Sequence, residues 1–571
     1  MPQLRPIAIL TAILIAFSFL LGLWGFTTLA PGSTLLDRIY LSLQLFSIDG
    51  PTAESHLPFQ LELSRFLAPL SLLLGLLATV FHISRDLLNN ALLRFARGHV
   101  IIAGLNEISA DFAADAIRIG HKVVIIDNDQ DSPWIHDLKA LGAVCLLANF
   151  TDNQPLLRAR IHHASRFFAF THNDSQNIEL VIMVSDLLEQ QPQKATKLLH
   201  CHTLLKDPNF QQAFREHSLL NTTSSSMSVS LINLEKLVAR INLDMLPLEM
   251  DDDGQLYDNP RLILFGHSSI SLALLLHSLQ LGHFRTREKL SISLVTNQPD
   301  ALKVKINRYF PQASEIAHIE IISAEDDTPC SLLQALRNSS SSGQSWHTLI
   351  CADECENENF TLAQYLSIHA HDFSGRILCS LPTSPGLLTL LNSKSDGRHI
   401  YPLDRPATLA NWQSLVDEPH ASRARTIHNN YVSSERAKGK TRADNSSLTS
   451  WVQLPESTRE QNRLQADHIP IKLRAIGIDI DHLPPHDELS SRLAENLELL
   501  AEMEHLRWNA ALFSAGWKYA PGPKNPRLLT HPCLVAWDAL TDEIKQYDRD
   551  AVMNIPQLLS HPKEARLDSK R

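Results

Sequence analysis

Aromatic and basic side chains are concentrated near the C-terminus, between Leu493 and Leu559. This stretch interleaves four large aromatic rings with four basic or imidazole side chains: Trp508, Trp517, Tyr519, Trp537, His505, Lys524, Arg527 and His531. Aromatic faces stack on flat rings and cations bind phosphate, so the combination predicts a nucleotide site. The alternative is that the tryptophans form the core of a small domain. We expect this of one or two of them, whereas His505 and His531 are harder to explain as core residues.

The same stretch resembles the RyR domain, a small helical module named for the ryanodine receptor and also found in prokaryotic proteins. The resemblance covers the whole module and departs from the family at Ala520, where glycine is usual. The matching residues are Glu495, Asn496, Trp508, Gly516, Trp517, Tyr519, Pro521, His531, Pro532, Cys533, Leu534, Val535, Leu540, Lys545, Asp548 and Arg549.

An upstream segment repeats the spacing of this module. Residues 451–470 and 537–556 each begin with Trp, have Arg twelve positions later and end in Pro nineteen positions after the Trp. His428 and Tyr431 correspond to His505 and Trp508. We infer two RyR-like halves, the first degenerate because a polar segment, SSERAKGKTRADNSS, replaces the Gly-Trp-x-Tyr segment. Ligands favour the crevice between such repeats.

The segment Gly98–Asp127 has the pattern strand, turn, helix, strand. The β-branched runs HVIIAG and VVIID flank a stretch with apolar residues at helical spacing, as in the parallel βαβ unit that begins a doubly wound sheet. Asp127 closes the second strand at the distance from Gly104 that suits a ribose hydroxyl. No hydride-acceptor site accompanies it, which disfavours an NAD-dependent dehydrogenase.

The segment from Pro260 to Val295 repeats this unit. Gly104 and Gly120 are sixteen positions apart, as are Gly266 and Gly282, and a histidine follows the second glycine of each pair. Agreement of this kind predicts a duplicated domain. In the second copy Ser268 and Ser271 lie in the turn and Thr296 replaces the acid, so we expect that copy to serve packing.

The first copy resembles the regulator-of-conductance domains of potassium channels and transporters, of TrkA-N type, over about Gly98 to Leu248. Such domains bind dinucleotides or adenine nucleotides and assemble into rings beneath a pore. The resemblance implies a nucleotide or dinucleotide at five positions, although Asn106 and Ser109 replace family glycines and leave a vestigial, structural fold as the alternative. The five positions are Gly104, Asn106, Asp127, Thr171 and Asp174.

Two apolar segments predict a membrane hairpin. Ile7–Leu29 carries no charge and is long enough to cross about 30 Å of hydrocarbon, and Phe66–Ile83 follows. A signal peptide is the competing interpretation, but the first apolar run is too long for one. Arginines flank the outer ends of the pair and acids lie between the spans. The positive-inside rule therefore places both termini and all later domains in the cytoplasm, with the spans in the inner (cell) membrane.

The loop between the spans resembles the pore region of two-span potassium channels that carry cytoplasmic nucleotide-binding regulators. Leu35–Phe46 predicts a short amphipathic helix, followed by the candidate pore loop Ser47, Ile48, Asp49 and Gly50. The Thr-Val-Gly-Tyr-Gly carbonyl signature is absent, so the permeant ion stays open. An extracytoplasmic loop joining two anchors is the alternative. A pore of two spans per chain requires several chains, and the resemblance implies a homotetramer.

Composition excludes some classes of function. The chain of 571 residues has a formal net charge of −11 and no basic stripe, which argues against nucleic-acid binding. Its seven scattered cysteines include no CxxC pair, so neither a disulfide framework nor a zinc site is expected. Glu502 and Glu504 beside His505 are the only candidates for acid–base catalysis, and two glutamates two positions apart do not share a helix face. We therefore expect no enzyme.

Together these patterns predict a helical membrane hairpin, two doubly wound parallel-sheet (Rossmann-like) domains and a mainly α-helical RyR-like module. The expected function is a membrane ion-channel-like effector gated by a cytosolic nucleotide or NAD-derived signal. The alternative is a membrane-anchored nucleotide sensor or scaffold without a pore. The predicted segments are 1–97 for the hairpin with its linker helix, 98–250 for the first Rossmann domain, 251–405 for the second, 406–486 for a linker with the degenerate RyR-like half, and 487–571 for the RyR domain.

Overall fold

The computed structural model describes residues 4–47, 57–150, 152–191, 198–207, 210–211, 227–285, 288–339, 346–370, 373, 375–381, 400–417 and 419–559. Its architecture is the predicted one. Two parallel α/β sheets follow an N-terminal helical hairpin and precede a helical C-terminal region.

The N-terminal region consists of helix α1 (Leu4–Leu29), helix α2 (Leu35–Gln44) with a 3₁₀ turn at Leu45–Ser47, and helix α3 (Phe59–Leu93). Windows of 19 residues in α1 and α3 are long and apolar enough to cross a membrane, with mean hydropathies of 2.0 and 1.3. Helix α3 starts seven residues before the predicted second span and continues into the predicted linker helix.

Small residues bring the two long helices close together. A Cβ at Gly25 would lie 2.8 Å from the Cβ of Leu61, so only glycine fits there. Ser64 Oγ donates to the backbone oxygen of Ser18 at 2.7 Å, and both serines are buried. Small residues and hydroxyl bonds of this kind are the usual means of holding membrane helices together.

The first sheet has the strand order β3-β2-β1-β4-β5-β6 and every pairing is parallel. Its central strands are buried on both faces, which explains their continuous β-branched and aromatic runs. The strands are β1 (Val100–Ala103), β2 (Val123–Asp127), β3 (Val144–Leu147), β4 (Arg166–Ala169), β5 (Leu199–Leu204) and β6 (Met227–Ile232), and the helices are α4 (Glu107–Arg118), α5 (Ile135–Leu141), α6 (Gln154–Arg158), α7 (Asp174–Gln190) and α8 (Leu234–Met245).

The second sheet has the order β12-β11-β10-β7-β8-β9, the same topology in a second copy. The duplication predicted from the glycine spacing is therefore confirmed. The strands are β7 (Arg261–Phe265), β8 (Ser291–Thr296), β9 (His318–Ser323), β10 (Thr348–Cys351), β11 (Arg376–Cys379) and β12 (Ile400–Pro402), and the helices are α9 (Ser269–Leu281), α10 (Pro299–Tyr309), α11 (Ala313–Ile316), α12 (Pro329–Arg337) and α13 (Glu356–His369).

A connecting segment after β12 packs back onto the first domain. It contains helix α14 (Pro406–Leu409) and a π-helical turn at Gln413–Asp417. The Trp412 backbone N–H donates to Asp115 at 2.8 Å, and its ring stacks on that of His121 at 4.0 Å. The connection thereby ties the end of the second sheet to the first domain.

The C-terminal region is helical apart from one short strand pair. Its helices are α15 (Pro419–Ala437), α16 (Glu456–Ala475), α17 (His486–Glu495), α18 (Leu497–Ser514), α19 (Asp542–Met553) and α20 (Ile555–Leu559), with strands β13 (Lys518–Tyr519) and β14 (Thr530–His531).

One hydrophobic core joins the second α/β domain to this helical region. Leu272, Leu275 and Leu279 of α9 share it with Leu473 of α16 and Met503 of α18. Every residue of α9 from position 271 to 281 is buried. Helix α4 occupies the same place in the first copy but is amphipathic, with its buried residues Ser109, Ala110, Phe112, Ala113 and Ala116 at helical spacing.

Candidate functional site

The carboxyl edge of the first sheet brings together the five residues predicted to bind a nucleotide. Gly104 has φ +93°, and a Cβ there would lie 2.7 Å from the backbone of Thr171. Asp127 accepts the Leu105 N–H at 2.6 Å and the Asp129 N–H at 2.8 Å. The Asp127 carboxylate, predicted to bind a ribose hydroxyl, therefore already accepts hydrogen bonds from two backbone N–H groups of the chain.

The remaining predicted residues at this edge are also bonded within the chain. Asn106 caps α4 by accepting the Ser109 N–H at 3.0 Å, and its amide donates to the Phe170 carbonyl at 2.6 Å. Asp174 accepts the N–H groups of Lys206 and Asp207 at 2.8–3.1 Å. In a glycine-rich loop, the turn between the first strand and helix approaches a pyrophosphate; here the same turn forms a capping box. Nucleotide binding at these residues stays a prediction.

A repeated asparagine, which the sequence analysis missed, fixes the central strand end in each copy. The Thr171 N–H donates to Asn177 at 2.8 Å, and the Asn177 amide donates back to the Thr171 carbonyl at 3.1 Å. In the second copy Asp353 and Asn359 make the same two bonds, at 2.8 and 2.9 Å. The signal was available, because Asn lies eight residues after the last residue of the strand in both copies.

In the second copy the hydroxyls of the turn are bonded to the backbone. Ser268 and Ser271 both donate to the carbonyl of Ala352, the latter at 2.6 Å. Thr296, at the position of Asp127, is buried and accepts the Gln298 N–H at 3.0 Å. The two serine hydroxyls therefore hold the turn against the backbone at the end of β10.

In the RyR-like module the structure groups four of the predicted ligand residues. We call Trp508, Trp517, Lys524 and His531 the aromatic cluster. The His531 ring lies 4.9 Å from that of Trp508 and 6.3 Å from that of Trp517, and Lys524 Nζ lies 5.3 Å from the Trp517 ring. Both indoles are half-buried, and burial lowers the pKa of His531, with Lys524 lowering it further. The cluster thus presents neutral ring faces beside one cation.

The other predicted ligand residues take different positions. Tyr519 pairs with His531 across β13 and β14 and is 55% exposed, and Arg527 is exposed in the loop between these strands. Trp537 is buried in the core, as expected for one of the tryptophans. The interpretation of His505 as lying outside the core is wrong: it is 1% exposed, with Nε2 2.8 Å from the Val535 carbonyl and Nδ1 3.5 Å from Asp548.

The two RyR-like halves share their local geometry. His428 Nε2 lies 2.7 Å from the Thr449 carbonyl, two residues before Trp451. His505 Nε2 lies 2.8 Å from the Val535 carbonyl, two residues before Trp537. A 3₁₀ turn begins at each of these tryptophans. Gly439 follows α15 and Gly516 follows the corresponding helix α18, both in the left-handed conformation, at φ +81° and +82°. These matches support the inferred tandem pair.

The first half presents cations where the second presents rings. Counting from the paired glycines, Lys440 stands at the place of Trp517 and Arg442 at that of Tyr519. Arg436, Lys440 and Arg442 line a shallow depression together with Ser450 and Gln453. Lys440 is paired with Glu435 at 2.5 Å. At these two positions, aromatic rings are therefore present in the second half and cations in the first.

The candidate catalytic glutamate lies in a buried ion-pair network. Glu504 accepts Lys472 Nζ at 2.6 Å through one carboxylate oxygen and Arg507 through the other at 2.7 and 3.1 Å. Lys472 belongs to α16 and Glu504 to α18, so the network joins the two halves. Glu504 itself is buried, with 3% of its surface exposed.

Of the candidate pore loop only Ser47 is among the described residues, and its hydroxyl donates to the carbonyl of Gln44 at 2.9 Å. Ile48, Asp49 and Gly50 lie outside them. The preceding helix α2 is confirmed, and Thr34 and Asp37 form a capping box at its start.

Comparison with protein families matches two parts of the chain. Residues 100–204 match the TrkA-N domain and residues 485–561 match the RyR domain. Both module resemblances drawn from the sequence are thereby confirmed. No curated protein matches the chain.

Comparison with solved structures finds distant similarity to GsuK. The crystal structure of GsuK bound to ADP is 14% identical over 71% of this chain and 94% of that chain, with a TM-score of 0.36. The GsuK channel bound to NAD is 12% identical over 72% and 82%, also with a TM-score of 0.36. The GsuK RCK domain is 13% identical over 58% and 79%, with a TM-score of 0.37. At these values no residue role is transferred.

Proposed function

We propose that this chain is a subunit of a membrane ion-channel-like effector whose opening is controlled by a cytosolic nucleotide or NAD-derived signal. The ligand docks on the aromatic cluster, with its flat base against Trp508 and Trp517 and its phosphates near Lys524. The spans lie in the cell membrane with both termini cytoplasmic, and several chains, four by resemblance, surround the pore. The ligand is bound without being chemically converted.

The observation that carries this proposal is the core shared by the RyR-like module and the second α/β domain. Helix α18 carries Trp508 and packs against α9, which is buried all round between the sheet and the module. Close-packed interiors transmit displacement because they do not deform continuously. A ligand that binds one arrangement of α18 better than another therefore shifts the α/β domains as well.

Ion flux in proteoliposomes tests the proposal. The full chain is reconstituted, and flux of several small cations is measured with and without ADP or NAD, each of which combines a flat base with phosphates. We expect ligand-dependent flux that requires about five- to 150-fold more ligand in Trp517→Ala, since stacking on one aromatic ring contributes about 1–3 kcal/mol. Tyr547→Ala, which removes an exposed ring elsewhere in the module, is the matched control. Flux that ignores both ligands overturns the proposal.

The second candidate is an anchored nucleotide sensor without a pore. It is favoured by the hairpin, because Gly25 and Ser64 allow α1 and α3 to pack and hydrogen-bond with each other within one chain. It predicts that ADP or NAD binds with Trp517-dependent affinity while the vesicles stay tight to every ion tested.

A further inference from the structure

A cleft opens where both α/β domains meet the first RyR-like half, remote in sequence from the aromatic cluster. It is lined by α8, α9, α15 and α16, and it has about 90 Å³ of internal space. One water requires roughly 10–15 Å³ measured in this way, so the cleft holds more than a single solvent molecule. We call it the junction cleft. Ligand sites are common at such domain boundaries.

Polar groups without protein partners belong to residues that line the junction cleft. His277 is 7% exposed and makes no hydrogen bond within the described part of the chain. The adjacent Ser278 hydroxyl is buried and also unpartnered. On the opposite wall, the Ala466 carbonyl lacks its usual helix donor, because residue 470 is a proline without an N–H. Buried polar groups in proteins normally have hydrogen-bond partners. Three polar groups without such partners on one cleft therefore indicate a ligand that supplies them.

These three groups are suited to the edge of a nitrogen heterocycle. Burial lowers the pKa of His277 to about 3, so its imidazole is neutral and provides one donor and one acceptor. The Ser278 hydroxyl can do either, and the Ala466 carbonyl accepts. Leu243, Leu281 and Phe284 supply apolar walls for a flat ring.

The charges around the cleft favour an uncharged ligand. Two ion pairs join α16 to the end of the first domain. Arg240 of α8 pairs with Asp467 at 2.7 Å. Glu249, which follows α8, pairs with Arg474 at 2.6 Å. The lining adds one further arginine and one further aspartate, so three cations meet three carboxylates. A polyphosphate would meet as much repulsion as attraction there.

We propose that the junction cleft binds an uncharged nitrogen heterocycle of the nucleobase or nucleoside class, and that its occupancy fixes the RyR-like pair against the second α/β domain. This site is separate from the aromatic cluster and does not depend on the function proposed for it.

Photolabelling of the wild-type full chain with 8-azidoadenosine tests the location without any variant. Labelled peptides are expected in 269–281 or 456–475, and adenosine in excess should compete. Labelling confined to 497–540, or none that adenosine competes away, overturns the proposal.

Calorimetry with adenosine then tests the residues. His277→Leu and the cleft-filling Ala466→Leu should each weaken adenosine binding at least tenfold, while the exposed His318→Leu leaves it unchanged. Unaltered binding in folded His277→Leu and Ala466→Leu contradicts the site. If the wild-type chain binds adenosine but does not bind ADP, the function proposed above is refuted and this site is not.

Discussion

Glu504 offers a sharp test of how the two RyR-like halves are held together. Its two carboxylate oxygens bind Lys472 and Arg507, and all three side chains are about 97% buried. In Glu504→Gln, two buried cations lose their shared counter-charge while the shape of the side chain is kept. Breaking a buried pair by removing one partner costs about 3–5 kcal/mol, and we expect a loss of this size in the free energy of unfolding of the C-terminal region.

The chain contains a matched control on the same helix. Glu498 also bonds an arginine through both oxygens, Arg549 at 2.6 and 3.1 Å, but its side chain is 61% exposed. Glu498→Gln should therefore cost about 0–1 kcal/mol. The assay is urea unfolding followed by tryptophan fluorescence, since four of the eight tryptophans lie between 451 and 537.

The double variant Lys472→Met with Glu504→Gln should cost less than the sum of its single changes, because one of the two stranded cations is gone. Equal losses in Glu504→Gln and Glu498→Gln would refute the reasoning from burial.

Two further predictions concern the repeat and the pH response. Gly439→Ala and Gly516→Ala should each cost about 1–2 kcal/mol, because both glycines are left-handed and a Cβ at either meets no atom closer than 3.8 Å; losses by urea unfolding that differ by more than the scatter of the measurement would argue against the shared geometry of the halves. Burial lowers the pKa of His202 to about 3, below the usual value of 6.5, so the unfolded chain takes up a proton that the folded chain refuses. Stability from this group is present above pH 6.5 and is lost as the pH falls toward 3, by about 2 kcal/mol at pH 5. His202→Leu should flatten the pH profile of unfolding by that amount, whereas a profile parallel to that of the wild type would contradict the assignment.

The fold was accessible from the sequence because its strands and repeats carry strong local patterns. Runs such as HVIIAG and VVIID are buried on both faces, and the sixteen-residue glycine spacing marks one βαβ unit in each copy. The apolar pattern of α9 all round its circumference was a signal of burial between two layers that the sequence analysis did not use.

The candidate site was less accessible, because the role of a polar residue depends on which partner the fold brings to it. His505 and His531 look alike in sequence, yet one bonds a backbone carbonyl in the core and the other lies between two half-buried indoles. Asp127 has the spacing of a ribose ligand, yet its oxygens hold the neighbouring turn. The junction cleft is formed by four helices from three regions of the chain, and no local pattern announces it.

The central claim is that ligand binding at the aromatic cluster displaces α9 and, through it, the α/β domains. Hydrogen–deuterium exchange of the full chain in lipid nanodiscs, with and without ADP or NAD, tests it most directly. The account predicts a change in exchange at residues 269–281 as well as around Trp517, and loss of both changes in Trp517→Ala. A change confined to residues 497–540, with 269–281 exchanging as in the free protein, would contradict it.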